Sequence, residues 1–160
     1  MLTGFDYGNS PAKIEHIDFT NKTIIHTTSA GTQGIANASH AQEIITGSFV
    51  NASAIAKYIK QKKPSVVSLV CMGKAALTPT EEDTYCAEYI KSLLLEQQYP
   101  LQQKLESLRQ LEGKRFFNPN NQEQCPERDF ILATTPNQFD FVLCATKDTR
   151  GFHNIQKINV

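Results

Sequence analysis

The sequence predicts an α/β protein, a three-layer α/β/α sandwich around a mostly parallel, mixed central sheet. First, short β-branched or apolar runs alternate with helical stretches from residue 23 onward. Second, Val66–Cys71 is almost continuously apolar, as expected of a strand covered on both faces. Third, the 160 residues are enough for one domain to bury a core without disulfides or metals. Strands that alternate with helices give this architecture because the helices carry the chain between parallel strands.

The predicted strands share short length and β-branched or apolar composition. They are residues 23–28, 43–48, 66–71 and 139–144.

The predicted helices share apolar positions at helical spacing together with start or stop signals. Asn51 is typical of a helix N-cap, and the acidic run Glu81–Asp83 after Thr80 suits a first helical turn, where the helix dipole favours negative charge. Gly113 is typical of a helix end. The predicted helices cover residues 35–41, 51–61, 80 to just before 100, 101–113 and 129–135.

We predict one domain over residues 1–146, followed by a polar tail over residues 147–160. The 16 basic and 16 acidic side chains balance, so the composition lacks the basic surface that nucleic acid or anionic lipid attracts. No apolar run reaches the roughly 18 residues that a membrane span needs. The first residues have no signal-peptide pattern, which favours a cytoplasmic protein with reduced cysteines. Cys71 and Cys144 lie in apolar runs and are predicted to be buried.

In a parallel sheet, ligands bind beyond the carboxyl ends of the strands. Three polar, glycine-containing loops are predicted at that edge, over residues 27–32, 47–51 and 71–83. Glu43 is the only formally charged residue between Thr23 and Ala56. One interpretation is an anion site built from hydroxyls and backbone N–H groups, which bind phosphate without lysine or arginine. The alternative is the centre of a domain whose hydroxyls cap turns and helices.

Two carboxylate groupings are candidate functional sites. Glu81, Glu82 and Asp83 suit Mg²⁺, which binds a few carboxylates together with water and substrate phosphate, or they serve only the start of a helix. Asp6 lies on a glycine-rich loop just before Ser10 and Pro11, a pattern typical of a helix start. It is either a turn-stabilising residue or a catalytic or metal-binding acid.

Five ordered segments together resemble one family, 2-phosphosulfolactate phosphatase. Gly4–Pro11 resembles the family's Gly-x-Asp-x-Gly-Asn-Ser-Pro, and Thr27–Thr32 resembles its Thr-Thr-Thr-Asn-Gly-Thr. Gly47–Ala54 resembles its Gly-Ser-Phe-x-Asn-x-x-Ala, and Phe139–Val142 resembles its closing strand. Val70–Gly73 followed by Glu82–Ala87 resembles its Val-Cys-Ala-Gly followed by Glu-Asp-Thr-x-Cys-Ala-Gly.

The resemblance implies a Mg²⁺-dependent phosphatase that converts 2-phospho-3-sulfolactate to 3-sulfolactate and phosphate, a step toward coenzyme M. On the matching positions it implies catalytic roles for Asp6 and Asp83, and metal binding by Asp6, Glu82 and Asp83. The residues expected on the phosphate or sulfonate side are Asn9, Ser10, Thr27, Thr28, Gly31, Thr32, Ser48 and Asn51.

This chain departs from the family pattern at three places. The family has a further N-terminal region, so the chain resembles its C-terminal part. Ser29 and Ala30 stand where the family has Thr-Asn, and Glu88 stands where it has Gly. A second hypothesis is therefore an inactive or incomplete homologue that binds a phosphorylated or sulfonated ligand, forms a homodimer, or pairs with a complementing chain. A third is an interaction protein that keeps only the scaffold.

Overall fold

A computed structural model describes residues 3–160 of the chain. The α-helices are α1 (Pro11–Ile14), α2 (Gly31–Asn37), α3 (Ala52–Lys62), α4 (Glu81–Leu95), α5 (Leu101–Gln110) and α6 (Glu127–Thr134). The strands are β1 (Ile44–Thr46), β2 (Phe141–Lys147) and β3 (His153–Asn159). Short 3-10 helices cover Phe49–Asn51, Glu112–Phe117 and Pro119–Asn121. No helix in the described range is long and apolar enough to cross a membrane.

The sheet has three strands in the order β1-β2-β3, and both pairings are antiparallel. Cys144 at the centre of β2 lies opposite Ile45 on one side and Gln156 on the other. The predicted α/β/α sandwich with a mostly parallel sheet is therefore wrong. The described residues contain a small antiparallel sheet packed against helices.

The prediction fails at two segments, residues 23–28 and 66–71, which form no strand. Both are rich in β-branched residues, but strand propensity measures how well a side chain fits a paired, half-buried surface. Neither segment has a partner strand within residues 3–160, and Ile25 remains 84% exposed and Val66 78% exposed. Cys71, predicted to be buried, is exposed for the same reason.

The strands predicted over 43–48 and 139–144 are confirmed as β1 and β2, and the helices predicted near 51–61, 80–99, 101–113 and 129–135 are confirmed as α3 to α6. Helix α2 begins four residues earlier than predicted. The predicted polar tail contains β3, whose backbone pairs with β2 along its whole length. The tail therefore supplies an edge strand of the sheet.

The core lies between α3, α4 and β2, which contact one another. Its fully buried members include Ile55 of α3, Ile90 of α4 and Val142 of β2. The alanines of α3 make close helix packing possible, because small side chains let neighbouring elements approach. Leu69 from the unpaired segment 66–71 also packs against this cluster.

Candidate functional site

The loop that leads into α2 is closed by two threonines. Thr28 Oγ1 accepts a hydrogen bond from the Thr32 N–H at 3.0 Å, and Thr32 Oγ1 donates to the Thr28 carbonyl at 3.0 Å. This reciprocal arrangement satisfies an orphan N–H of the first turn and explains why α2 begins at Gly31. Thr27 beside them is exposed. The hydroxyls of Thr28 and Thr32, both predicted to bind an anion, are therefore engaged at the start of α2.

A close contact connects α2 with the loop before α4. A Cβ at Gly34 would stand 2.5 Å from the Met72 sulfur, so any larger residue there would displace the Met72 side chain. The next residue, Gly73, has a φ of +62°, and its N–H donates to Asp83 Oδ2 at 2.6 Å. The loops that carry Thr28–Gly31 and Asp83 are thereby brought to the same side of the molecule.

Unpaired oxygens collect at the start of α4. Glu82 Oε2 and Thr80 Oγ1 are buried without a hydrogen-bond partner. Glu112, which follows α5, accepts a hydrogen bond from the Glu81 N–H through Oε1 at 3.3 Å, while its Oε2 is buried and unpartnered. Buried polar groups nearly always have a partner, so these unpaired carboxylate oxygens are available to accept a hydrogen bond or to bind a cation.

Cys86, one turn into α4, packs against the core cluster. Burial, with a smaller contribution from the Asp83 charge, raises the pKa of its thiol to about 12. The thiol is therefore protonated at neutral pH and cannot act as a thiolate nucleophile.

The glycine-rich N-terminal segment is anchored to α6. Buried Ser10 donates through Oγ to Asp129 Oδ1 at 2.8 Å, and the Ala12 N–H donates to the same oxygen at 2.9 Å. The Asp129 carboxylate thus caps α1 from another element. Asp6 and Asn9 precede this anchor and are exposed.

Ser48 and Asn51 serve the start of α3. Ser48 Oγ accepts from the Val50 N–H at 3.2 Å. Asn51 is 5% exposed, its Nδ2 donates to the Phe141 carbonyl at 3.2 Å, and its Oδ1 is buried without a partner. The Asn51 side chain makes no cap hydrogen bond to α3, unlike the predicted N-cap. Its hydrogen bond instead connects the start of α3 with β2.

Glu43, the lone charge of the polar N-terminal stretch, lies against α3. Its Oε1 accepts from the Tyr58 hydroxyl at 2.5 Å and lies 3.8 Å from Lys62 Nζ. The hydrogen bond to this carboxylate raises the pKa of Tyr58, because ionising the phenol would place two negative charges together. The only carboxylate between Thr23 and Ala56 is therefore engaged, through its Oε1, with Tyr58 and Lys62 of α3.

The structure brings together only part of the predicted site. Asp83 and the α2 loop share one side of the molecule through the Gly34–Met72 contact. Within residues 3–160 no three His, Cys, Asp or Glu side chains are grouped so that they could hold a metal ion, so Asp6 does not join Glu82 and Asp83. The ligand roles of these residues stay predictions.

Two residues with roles at these sites, Asp129 and Glu112, were not predicted. Each contacts its partner across more than 30 positions of sequence, and local patterns carry no signal for such contacts. A cavity of about 460 Å³ beside the start of α3 is lined by Lys57, Asn137 and Phe139 among others, and none of the predicted site residues lines it.

Comparison with known proteins identifies relatives. The family model described as 2-phosphosulpholactate phosphatase matches residues 1–156. A probable 2-phosphosulfolactate phosphatase from Caldicellulosiruptor saccharolyticus is 36% identical over 99 residues, which cover 59% of this chain and 40% of the relative. Another probable 2-phosphosulfolactate phosphatase, from Thermotoga petrophila, is 38% identical over 90 residues, which cover 56% of this chain and 38% of the relative. One from Bacillus subtilis is 26% identical over 153 residues, covering 92% and 64%.

In each of these three comparisons the match covers less than two thirds of the relative's length. No solved structure matches the chain. The family resemblance predicted from the motifs is confirmed by the family model.

Proposed function

The chain belongs to the 2-phosphosulpholactate phosphatase family, and on that premise we propose that it takes part in hydrolysis of the phosphomonoester of 2-phospho-3-sulfolactate, with Mg²⁺ as cofactor. The products are 3-sulfolactate and inorganic phosphate. The observation that carries the proposal is the family match over residues 1–156, together with the unpaired Glu82 Oε2 in the matching acidic segment.

The donor atoms at the start of α4 fit Mg²⁺. Glu82 and Glu112 each have a buried carboxylate oxygen without a partner, and Thr80 has such a hydroxyl. Magnesium is a hard cation that binds oxygen, and proteins often hold it through one or two carboxylates while water and substrate phosphate complete the shell. In the proposal Glu82 holds the ion and Asp83 is a further predicted ligand, whereas Asp6 does not lie with them. When bound, Mg²⁺ supplies positive charge that offsets the charge on the phosphoryl oxygens.

The side chains have separate proposed tasks. Asp83 is held in place by the Gly73 N–H, which suits a carboxylate that must keep a fixed orientation. Asp6 is exposed and accessible to substrate. In this proposal the phosphate or sulfonate is contacted by the charge-poor loops and the N-terminal segment. The residues concerned are Asn9, Ser10, Thr27, Thr28, Gly31, Thr32, Ser48 and Asn51. Hydroxyls and backbone N–H groups can bind a polyanionic substrate and its two anionic products without lysine or arginine.

Phosphate release tests the proposal. We expect the chain to release phosphate from 2-phospho-3-sulfolactate in the presence of Mg²⁺. The release should stop when EDTA removes the ion. Glu82→Gln should lower the rate, whereas Glu81→Gln, with the same loss of charge in the same helical turn, should retain it. Equal losses in both variants would indicate helix electrostatics and contradict a metal role for Glu82.

A second candidate function is ligand binding without catalysis. It is favoured by the absence of a three-residue metal cluster within residues 3–160. Under this alternative, phosphate or 3-sulfolactate raises the melting temperature, but no phosphate is released from the phosphorylated substrate. The two functions are therefore separated by running both measurements on one preparation.

A cytoplasmic location is part of the proposal. The four cysteines are free thiols, as is usual for a protein in a reducing compartment. Cell fractionation with a tagged chain measures the location directly.

A further inference from the structure

Two segments without regular secondary structure, residues 23–28 and 66–71, expose apolar side chains that are usually buried. Ile24 is 63% and Ile25 84% exposed, and Val66 is 78% and Val70 72% exposed. Isolated exposed apolar residues are common, but two runs of them are not, and such patches mark interaction surfaces. Neither segment carries a formal charge at neutral pH.

The backbone of these segments is also unpaired. Among residues 3–160, no backbone–backbone hydrogen bond involves residues 23–27 or 65–71. Exposed runs of free N–H and C=O groups in extended chain are templates for strand pairing with another polypeptide. The exposed apolar side chains and the backbone of residues 23–27 and 65–71 therefore both lack partners.

The two segments end next to each other. Residues 23–28 lead into α2, residues 66–71 lead into Met72, and Gly34 of α2 contacts the Met72 sulfur. Leu69 packs inward on the core, which fixes the second segment to the body of the molecule. Both segments thus lead into elements that contact each other, and we call the two segments together the unpaired face.

The total exposed area shows that the chain as a whole has more uncovered surface than a compact monomer. The chain exposes 11538 Å², whereas a compact monomer of 17.9 kDa exposes about 8,000 Å². The excess of about 3,500 Å² is several times the ~800 Å² that each partner contributes to a standard interface. A polypeptide that continues the core accounts for an excess of this size better than a standard contact between two copies.

We propose that the unpaired face binds a polypeptide equivalent to the part of the longer relatives that lies outside the match. In the Bacillus subtilis relative the match covers 64% of the length, so about a third of that protein is available for this role. The partner supplies extended strands that pair with residues 23–27 and 65–71 and apolar side chains that cover Ile25 and Val70. Since the face is uncharged, the association persists in high salt.

Co-expression tests this inference. The 160-residue chain is produced with the unmatched stretch of the Bacillus subtilis relative as a separate polypeptide. We expect a one-to-one complex on size-exclusion chromatography in low and high salt. Amide hydrogen exchange of residues 23–27 and 65–71 should slow in the complex relative to the chain alone.

Matched variants locate the contact. Ile25→Lys should abolish the complex, because it places a charge in the buried interface. Leu111→Lys, at a residue 53% exposed after α5, should leave it intact. Both positions are exposed in the chain alone, so neither change should disturb its folding.

Three results would overturn the inference: no complex with the wild-type chain, equal effects of the two lysine variants, or a dimer of the chain alone that Ile25→Lys dissociates. The last result would assign the face to a second copy. None of these measurements depends on phosphate release, so the proposed catalytic function can fail while the docking inference holds, and the reverse.

Discussion

Two regions of the molecule contrast in how they are stabilised. The packed region, residues 44–62 and 81–160, contains the sheet, α3 to α6 and the core cluster. The open region, residues 3–43 and 63–80, has only Ser10 and Ala30 buried. Both regions have apolar residues, so composition does not separate them. The difference lies in partners, because an apolar run stabilises a fold only where a second surface covers it.

The contrast bears on function, because most of the predicted site lies in the open region. Asp6, Asn9 and the threonines of the α2 loop belong to it, whereas Glu82 and Asp83 begin the packed region. Functional loops are commonly carried by a rigid scaffold. In this protein the Gly73–Asp83 hydrogen bond joins the loop before α4 to α4 itself, which belongs to the packed region.

The largest expected effect compares two isoleucines. Ile55→Ala removes a side chain that is 2% exposed in the core and should lower the free energy of unfolding by about 2–5 kcal/mol. Ile25→Ala, at a site 84% exposed, should change it by less than about 0.5 kcal/mol. Urea unfolding measures both. A large effect at Ile25 would mean that the open region is already covered in solution.

A smaller effect is expected at the junction of the regions. Gly73→Ala forces a Cβ into the Thr78 carbonyl, 2.2 Å away, at a φ of +62°, and should cost about 1–3 kcal/mol. Gly8→Ala is the control, because nothing lies within 4 Å of a Cβ there. Thermal unfolding compares the two variants, and equal melting temperatures would show that the 73–78 loop rearranges freely.

The N-terminal segment is expected to depend on one carboxylate. Asp129→Asn keeps the shape but replaces two charge-assisted hydrogen bonds with neutral ones, at a cost of about 1 kcal/mol. Hydrogen exchange at residues 10–14 should accelerate in this variant and not in Asp140→Asn, where the carboxylate is exposed. Unchanged exchange would mean that α1 is held by other contacts.

The smallest expected effect is a pH dependence within the packed region. The pKa of Cys86 is raised from 9.0 to about 12, mainly by burial. Above pH 9 the unfolded thiol ionises while the folded thiol stays protonated, so stability is full below pH 9 and falls as the pH rises toward 12. Cys86→Ala should show a shallower loss of stability from pH 7 to 9.5 in urea unfolding, an interval over which the ionising thiol costs less than about 1 kcal/mol. Identical slopes would contradict the buried, neutral thiol.

Sequence patterns predicted the packed region well. The acidic start after Thr80, the cap position at Asn51 and the apolar spacing of α4 identified helices that the structure contains. These signals are local, since helix bonds join residues four apart. The motif matches around Asp6, Thr28, Ser48 and Asp83 likewise identified the family, because a motif is read along the chain.

The sequence by itself determined the helices, two of the strands and the family. Only the tertiary structure decided which β-branched runs became strands, since a strand forms when another strand accepts its hydrogen bonds. Residues 23–28 and 66–71 have the composition of strands but no partner, whereas the polar residues of β3 pair fully with β2. It also decided that Asp129 and Glu112 reach distant elements, because long-range contacts depend on how the chain folds back on itself.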